Sequence, residues 1–184
     1  MCIRDRDTDA FRAMFAVRGK ALYPEMDFMF SMIREVLTTS KLDDTKRLYE
    51  IIARVRSRAQ ASLASAGHST AVLRGASYAS PMAAFQDEMA GIGYYQFIEK
   101  LEKDFEQRKE ETVEELCKLM KKILRPENFM ISYTGERESL ETVQKLAGAV
   151  KAGLGTEPVE KSKEKLTCTK KNEGFKTSGQ VQYV

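Results

Sequence analysis

The sequence predicts an α+β fold, in which a small β-sheet carries several long helices packed on one face. Apolar and polar residues alternate over Ala10–Leu22 and again over Phe129–Gly135, and a period of two is typical of a strand with one buried face. Elsewhere the apolar residues recur every three or four positions, as they do on amphipathic helices. The predicted order is therefore strand, several helices, strand and helix.

The helices are bounded by proline, glycine and capping residues. Pro24 suits the first turn of a helix that continues to about Thr38, and its methionine-rich stripe indicates an adaptable core face rather than a ligand groove. Asp43 or Asp44 can cap a long helix that runs on through Arg54–Tyr78, the central element of the chain. The Ser80-Pro81 pair ends that helix, because the residue before a proline disfavours the helical conformation.

Three further helices follow in the predicted order. A short one begins at Pro81 and ends at the pair Gly91 and Gly93. Tyr94–Leu124 is helical in one or two pieces, with a charge-rich span in its middle that is typical of a solvated face. Glu138–Leu154 is the last amphipathic helix.

Small residues are concentrated in the middle of the central element. Ala64, Ser65, Ala66 and Gly67 follow one another, and small side chains let another backbone approach closely. We therefore expect close helix packing at this point. His68 comes next and is the single histidine of the chain, which we interpret as a buried or capping residue.

The chain divides into four parts. Residues 1–6, MCIRDR, match the translation of a sequencing adapter and are interpreted as a cloning or assembly scar. Residues 7–155 form the α+β domain, and residues 156–173 are a polar, lysine-rich linker without periodicity. Residues 174–184, GFKTSGQVQYV, are interpreted as the first strand of a further domain that is truncated.

Composition argues against several classes of protein. The 30 basic and 27 acidic residues are too nearly balanced to indicate a nucleic-acid binder. No apolar run approaches the length of a membrane span, and residues 1–20 lack the apolar centre of a signal peptide. Three widely spaced cysteines, Cys2, Cys117 and Cys168, give neither a disulfide framework nor a CxxC pair. They favour a reducing compartment, and hence a cytoplasmic protein.

Catalytic and metal-binding patterns are absent. A catalytic zinc site takes three protein ligands, and in the inverted motif H-x-x-E-H two of them are histidines, so one histidine cannot supply it. Cys117 lies in an amphipathic helix without an evident histidine partner, which argues against a thiol nucleophile. Gly91 and Gly93 are a lone glycine pair and do not form a phosphate-binding loop. We therefore assign no catalytic, cofactor-binding or metal-binding residue to this chain.

Four short segments resemble one family of peptidases. They are SAGHSTA at 65–71, GIGYYQFIEKL at 91–101, RPENFMISYTG at 125–135 and QVQYV at 180–184, and their order and spacing make the match fairly specific. The chain is similar to the presequence-protease branch of the insulinase-family zinc metallopeptidases, the subfamily C associated region of peptidase family M16. On this alignment it covers most of the third domain and the start of the fourth.

The resemblance implies a fold and a role. Members of the family are long chains of four similar α/β domains in two halves, which close around a short unfolded peptide and bind zinc in the first domain. Both the zinc motif and a substrate-orienting R-x-x-G-G-x-Y run would lie outside the present sequence. The resemblance therefore implies a non-catalytic fragment of a zinc metalloendopeptidase, with zinc bound elsewhere in the parent enzyme. Its partners would be the other parent domains and an unfolded peptide.

Two other classes of function stay open at this point. The chain could instead be a free-standing helical interaction module that offers its methionine-rich helix or its long hairpin to a partner. A nucleic-acid or membrane-surface binder would depend on the lysine-rich linker alone, and a solvated tether explains that composition better.

Overall fold

The computed structural model describes residues 13–158 and 167–175, and these residues form six α-helices. The helices are α1 (Met26–Thr39), α2 (Thr45–Ser65), α3 (Gly67–Ser77), α4 (Pro81–Ala90), α5 (Ile92–Ile123) and α6 (Leu140–Ala152). Short 3-10 turns occupy Tyr23–Glu25, Pro126–Asn128 and Arg137–Ser139. None of the described helices is long and apolar enough to cross a membrane.

The prediction of an α+β fold with a small sheet is wrong for the part of the chain that the structure describes, which is all-α. Residues 13–22 and 129–135 have no regular strand structure, although their apolar residues alternate as predicted. Alternation gives a segment two different faces, but a strand also needs a neighbour to take its backbone hydrogen bonds. Neither segment has such a neighbour among the described residues, and Phe15, Val17 and Ile131 are exposed.

Two of the predicted strands extend beyond the described residues. Residues 10–12 of the first lie outside them, as do residues 176–184 of the predicted terminal strand. The interpreted adapter scar, residues 1–6, also lies outside the described part of the chain. The division into a scar, a domain, a linker and a truncated strand stays a prediction.

The central element is two helices rather than one. Helix α2 ends at Ser65, and Ala66 leaves the helical conformation with φ of −130° and ψ of 42° before α3 begins at Gly67. Glycine is about 1 kcal/mol less favourable than alanine inside a helix, so Gly67, like Gly75, is a weak point of the predicted helix. The small residues therefore mark a helix junction as well as a partly buried position at Ala66.

The described residues divide into two compact units, each with its own apolar core. The first contains residues 13–14, 44–109 and 167–175. Its core joins Ile52 of α2 to Ile98 and Phe105 of α5, and Phe105 is only 1% exposed. The ring of Tyr49 packs on that of Phe105 with centroids 5.5 Å apart. Helices α3 and α4 pack against each other in the same unit.

The second unit contains residues 15–43 and 110–158 of the described chain. Helix α1 packs against α6 here, and the core residues follow the helical period. They are Met26, Phe30, Val143, Ala147 and Val150. The methionine-rich stripe of α1 therefore supplies part of a core face, because Met26 is buried and Met29 packs beside it.

Candidate functional site

A buried ion pair joins α3 to α4 in the first unit. The Arg74 guanidinium donates a hydrogen bond from Nη1 to Oδ2 of Asp87, and the two residues are 7% and 1% exposed. Arginine and aspartate are almost never this buried unless they are paired, because removing a charge from water costs several kcal/mol. The pair is thus the principal polar contact within the α3–α4 interior.

Asp87 also caps the helix that follows it. Its Oδ1 accepts a hydrogen bond from the backbone N–H of Ile92 at 3.0 Å, and its Oδ2 accepts one from Gly93 at 3.1 Å. The first N–H groups of a helix have no partner inside the helix and carry partial positive charge, so a carboxylate at this end is favourable. One side chain therefore neutralises Arg74 and starts α5.

The two glycines between α4 and the body of α5 make this cap possible. A Cβ atom added to Gly91 would lie 2.3 Å from Oδ1 and 2.9 Å from Cα of Asp87, distances that no real Cβ tolerates. One added to Gly93 would lie 2.8 Å from Oδ2 of Asp87. Gly91 ends α4 as predicted, whereas Gly93 lies in the first turn of α5, and the reason for both glycines is the close approach of Asp87.

A third charged residue reaches Arg74 from the far end of the sequence. Oε1 of Glu173 accepts one hydrogen bond from Arg74 Nε and another from the Tyr78 hydroxyl, both at 2.6 Å. The Arg74 guanidinium carbon lies 6.0 Å from the Tyr78 ring centroid and 5.8 Å from that of Phe175, which is within cation–π range. Residues 167–175 are thus held against the rest of the first unit by Glu173 and Phe175.

The electrostatics of the cluster follow from these contacts. The hydrogen bond from Arg74, with a second from Tyr78, lowers the pKa of Glu173 to about 2. The hydrogen bond to Glu173 is also the main reason that the pKa of Arg74 rises above its ordinary value, against the opposing effect of burial. The pKa of Tyr78 is raised, first because its hydroxyl donates to the Glu173 carboxylate.

The lowered pKa of Glu173 predicts how its contact with Arg74 depends on pH. A carboxylate whose pKa is lower in the folded state stabilises the fold above its unfolded pKa, and the stabilisation is lost as pH falls through the folded value. We expect the stability difference between the wild type and Glu173→Gln to be constant above about pH 5 and to shrink between pH 4.5 and about 2. Urea unfolding of both proteins across this range measures it. A difference that stays constant down to pH 2 would contradict this account.

The residues considered from sequence are not gathered into a reactive site. His68 is exposed on α3, so the prediction that it is buried is wrong, and the caps of α2 and α3 both fall at Ala66. Cys117 and Cys168 are both half-buried free thiols, and they lie in different units. Within residues 13–158 and 167–175, no three His, Cys, Asp or Glu side chains are grouped so that they could hold a metal ion.

The Arg74 cluster holds structure together and has no evident means of doing chemistry. Its arginine lies between two carboxylates, and Asp87 is already committed to two backbone N–H groups. The sequence patterns did not predict a role for any residue of this cluster. The signal for Asp87 was present, since an acidic residue stands a few positions before a glycine-marked helix start, where a helix N-terminus favours negative charge.

The comparisons with known proteins identify the family. Residues 2–101, more than half of the chain, match the family model for the associated region of peptidase family M16, subfamily C. The chain therefore belongs to this peptidase-associated family, and the resemblance to the insulinase-type peptidases is confirmed.

Its relatives are much longer, and the chain spans less than a fifth of each. It is 28% identical over 179 residues to Protein HypA of Clostridium perfringens, a match that covers 97% of this chain and 18% of the relative. It is 32% identical over 94 residues to the mitochondrial presequence protease of Yarrowia lipolytica, covering 51% of this chain and 10% of that protein. It is 24% identical over 129 residues to presequence protease 1, chloroplastic/mitochondrial, of Arabidopsis thaliana, a match that covers 70% of this chain and 12% of that protein. No solved structure matches the chain.

Proposed function

We propose that this chain acts as a non-catalytic part of a zinc metalloendopeptidase that degrades short unfolded peptides in a closed chamber. The observation that carries the proposal is membership of the peptidase-associated family, together with matches to presequence proteases of which the chain spans about a tenth. The single histidine supports a catalytic zinc site elsewhere in such an enzyme.

The structural role that fits this proposal is a helical wall formed by the first unit. Each of the two units closes an apolar core of its own. In the first unit the Arg74 cluster ties α3, α4, the start of α5 and residues 167–175 to one another. Under this proposal the partners are the other domains of the peptidase and an unfolded peptide, with no nucleic acid and no membrane. A cytoplasmic location stays part of the proposal, although two relatives carry organelle names.

The proposal predicts that the chain alone has no peptidase activity. Incubated with zinc and a short unfolded peptide, it should give no cleavage that a chelator abolishes. After dialysis it should hold far less than one zinc per chain, because one histidine cannot complete a typical catalytic site. Mass spectrometry of the peptide and metal analysis of the protein measure both outcomes. Chelator-sensitive turnover, or one tightly held zinc per chain, would overturn the proposal.

A second experiment tests the proposal in the complete parent enzyme. Asp87→Ala should lower peptidase activity there while leaving the zinc content unchanged, since the substitution disturbs a helical wall and not a ligand. Glu106→Gln is the matched control, because this glutamate is 80% exposed and its substitution removes the same charge. If Asp87→Ala instead left activity intact in a folded enzyme, the wall would have no part in catalysis.

A helical interaction module is the second candidate, and one feature favours it. On α1, Phe28, Met32 and Val36 are 64%, 41% and 53% exposed, and they lie four residues apart on one face. An apolar stripe of this kind is what helix-in-groove partners bind. The parent gene discriminates between the candidates: an open reading frame that encodes H-x-x-E-H upstream of this chain supports the peptidase.

A further inference from the structure

The two carboxylates that meet Arg74 are held in different ways. Asp87 is 1% exposed, belongs to the neighbouring helix and accepts two backbone N–H groups, so its place is fixed by the fold. The Glu173 side chain is 22% exposed and reaches Arg74 from 99 residues away in the sequence. Asp87 is therefore a built-in counter-ion, whereas Glu173 occupies a second position on the same guanidinium.

This second position has the features of a binding site for a short peptide. Arg74 Nε and the Tyr78 hydroxyl converge on one carboxylate oxygen, each at 2.6 Å. The Tyr78 ring flanks the guanidinium within the first unit, and Phe175 supplies a second ring near it, two residues after Glu173. Gly174 between them would meet nothing within 4 Å if it carried a Cβ, so the middle residue is unconstrained.

We propose that Arg74 and Tyr78 form a recognition site for a peptide that carries a carboxylate and, two residues later, an aromatic ring. Glu173–Phe175 of the same chain occupies this site as an exchangeable internal ligand. The proposal stands apart from the peptidase role, because it concerns contacts within the first unit alone. A charged hydrogen bond to a preorganised arginine gives the site its preference for a carboxylate.

The experiment vacates the site and refills it. In the double variant Glu173→Ala, Phe175→Ala, Arg74 keeps Asp87, so the fold keeps its buried pair. The added peptide is acetyl-KKNEGFK-amide, which copies residues 170–176, and the comparison peptide has glutamine in place of the glutamate. The reporter is the Nε–H resonance of Arg74 in a ¹⁵N NMR spectrum, because that proton bonds to Glu173 in the wild type.

The expected results depend on whether a carboxylate occupies the site beside Arg74 and Tyr78. The Arg74 Nε–H resonance should shift in the double variant, and the glutamate peptide should restore it. The wild type should require at least roughly tenfold more peptide, because an internal ligand competes at an effective concentration of about millimolar. Adding Tyr78→Phe to the double variant should weaken peptide binding roughly 10- to 100-fold, the loss of one hydrogen bond to a charged group.

Two results would overturn the proposal. One is an Arg74 Nε–H resonance that is the same in the wild type and in the double variant, since Glu173 would then not occupy the site in solution. The other is equal binding of the glutamate and glutamine peptides to the double variant, which would show that no carboxylate is recognised. The exposed-site variant Glu106→Gln should leave the resonance and the peptide titration of the wild type unchanged.

Discussion

Replacing Asp87 by alanine should lower the free energy of unfolding by about 3–5 kcal/mol, the usual cost of removing one partner of a buried ion pair. Arg74 would stay buried with Glu173 as its remaining carboxylate, and the N–H groups of Ile92 and Gly93 would lose their acceptor. A lost helix cap alone typically costs about 1 kcal/mol. Urea unfolding followed by circular dichroism measures the change.

The asparagine variant separates charge from capping. Asp87→Asn keeps the shape of the side chain and one carbonyl oxygen, which can still accept the N–H of Ile92. It removes the charge that neutralises Arg74, so we expect a loss of stability smaller than that of the alanine variant. Glu106→Gln, at an exposed carboxylate, should stay within about 0.5 kcal/mol of the wild type. A cost below about 1 kcal/mol for Asp87→Ala would contradict the central role of this pair.

The helices were predictable because local residues mark their ends. Pro81 begins α4, Gly91 follows its last residue, and Pro126 stands just beyond the end of α5. Each of these residues acts on its own backbone, so the sequence alone carries the information. The junction at Ala66 was the exception, because Gly67 was interpreted as a place of close packing inside one helix.

The strand predictions were wrong because a strand depends on contacts with another segment, which can be distant along the chain. Alternation over 129–135 describes one segment, whereas a strand is defined by hydrogen bonds to another segment. The described residues supply no such neighbour, and those segments are irregular. The part of the Arg74 cluster that Glu173 supplies was not predictable for the same reason. The contact of Arg74 with Glu173 joins residues 99 apart, and ion pairs over such separations leave no periodic trace.

The contact of Glu173 also changes how the lysine-rich stretch is understood. Composition suggested a solvated tether over residues 156–173, and residues 159–166 of it lie outside the described part of the chain. At its end, however, Glu173 is bonded to a buried arginine. A polar composition without periodicity indicates that the stretch has no apolar face to bury. It does not exclude a single residue that anchors the stretch, as Glu173 does.

Adding one methyl group at two glycines of the first unit should change stability in opposite directions. Gly91→Ala should cost about 1–3 kcal/mol, because its Cβ would meet both the side chain and the Cα of Asp87. The side chain cannot simply swing away, since it is bonded to Arg74 and to two backbone N–H groups. The cost is steric and not conformational, because φ at Gly91 is −99°, a value that alanine adopts freely.

Gly75→Ala is the matched substitution. Gly75 lies within α3, one residue from Arg74, and a Cβ there would meet nothing within 4 Å. Alanine should therefore stabilise the protein by about 0.4–1 kcal/mol, because it reduces the freedom of the unfolded chain and favours the helix. Thermal unfolding of both variants measures whether each substitution raises or lowers the stability. If Gly91→Ala were as harmless as Gly75→Ala, Asp87 could not lie against Gly91 as the structure places it, and the cap of α5 would need another acceptor.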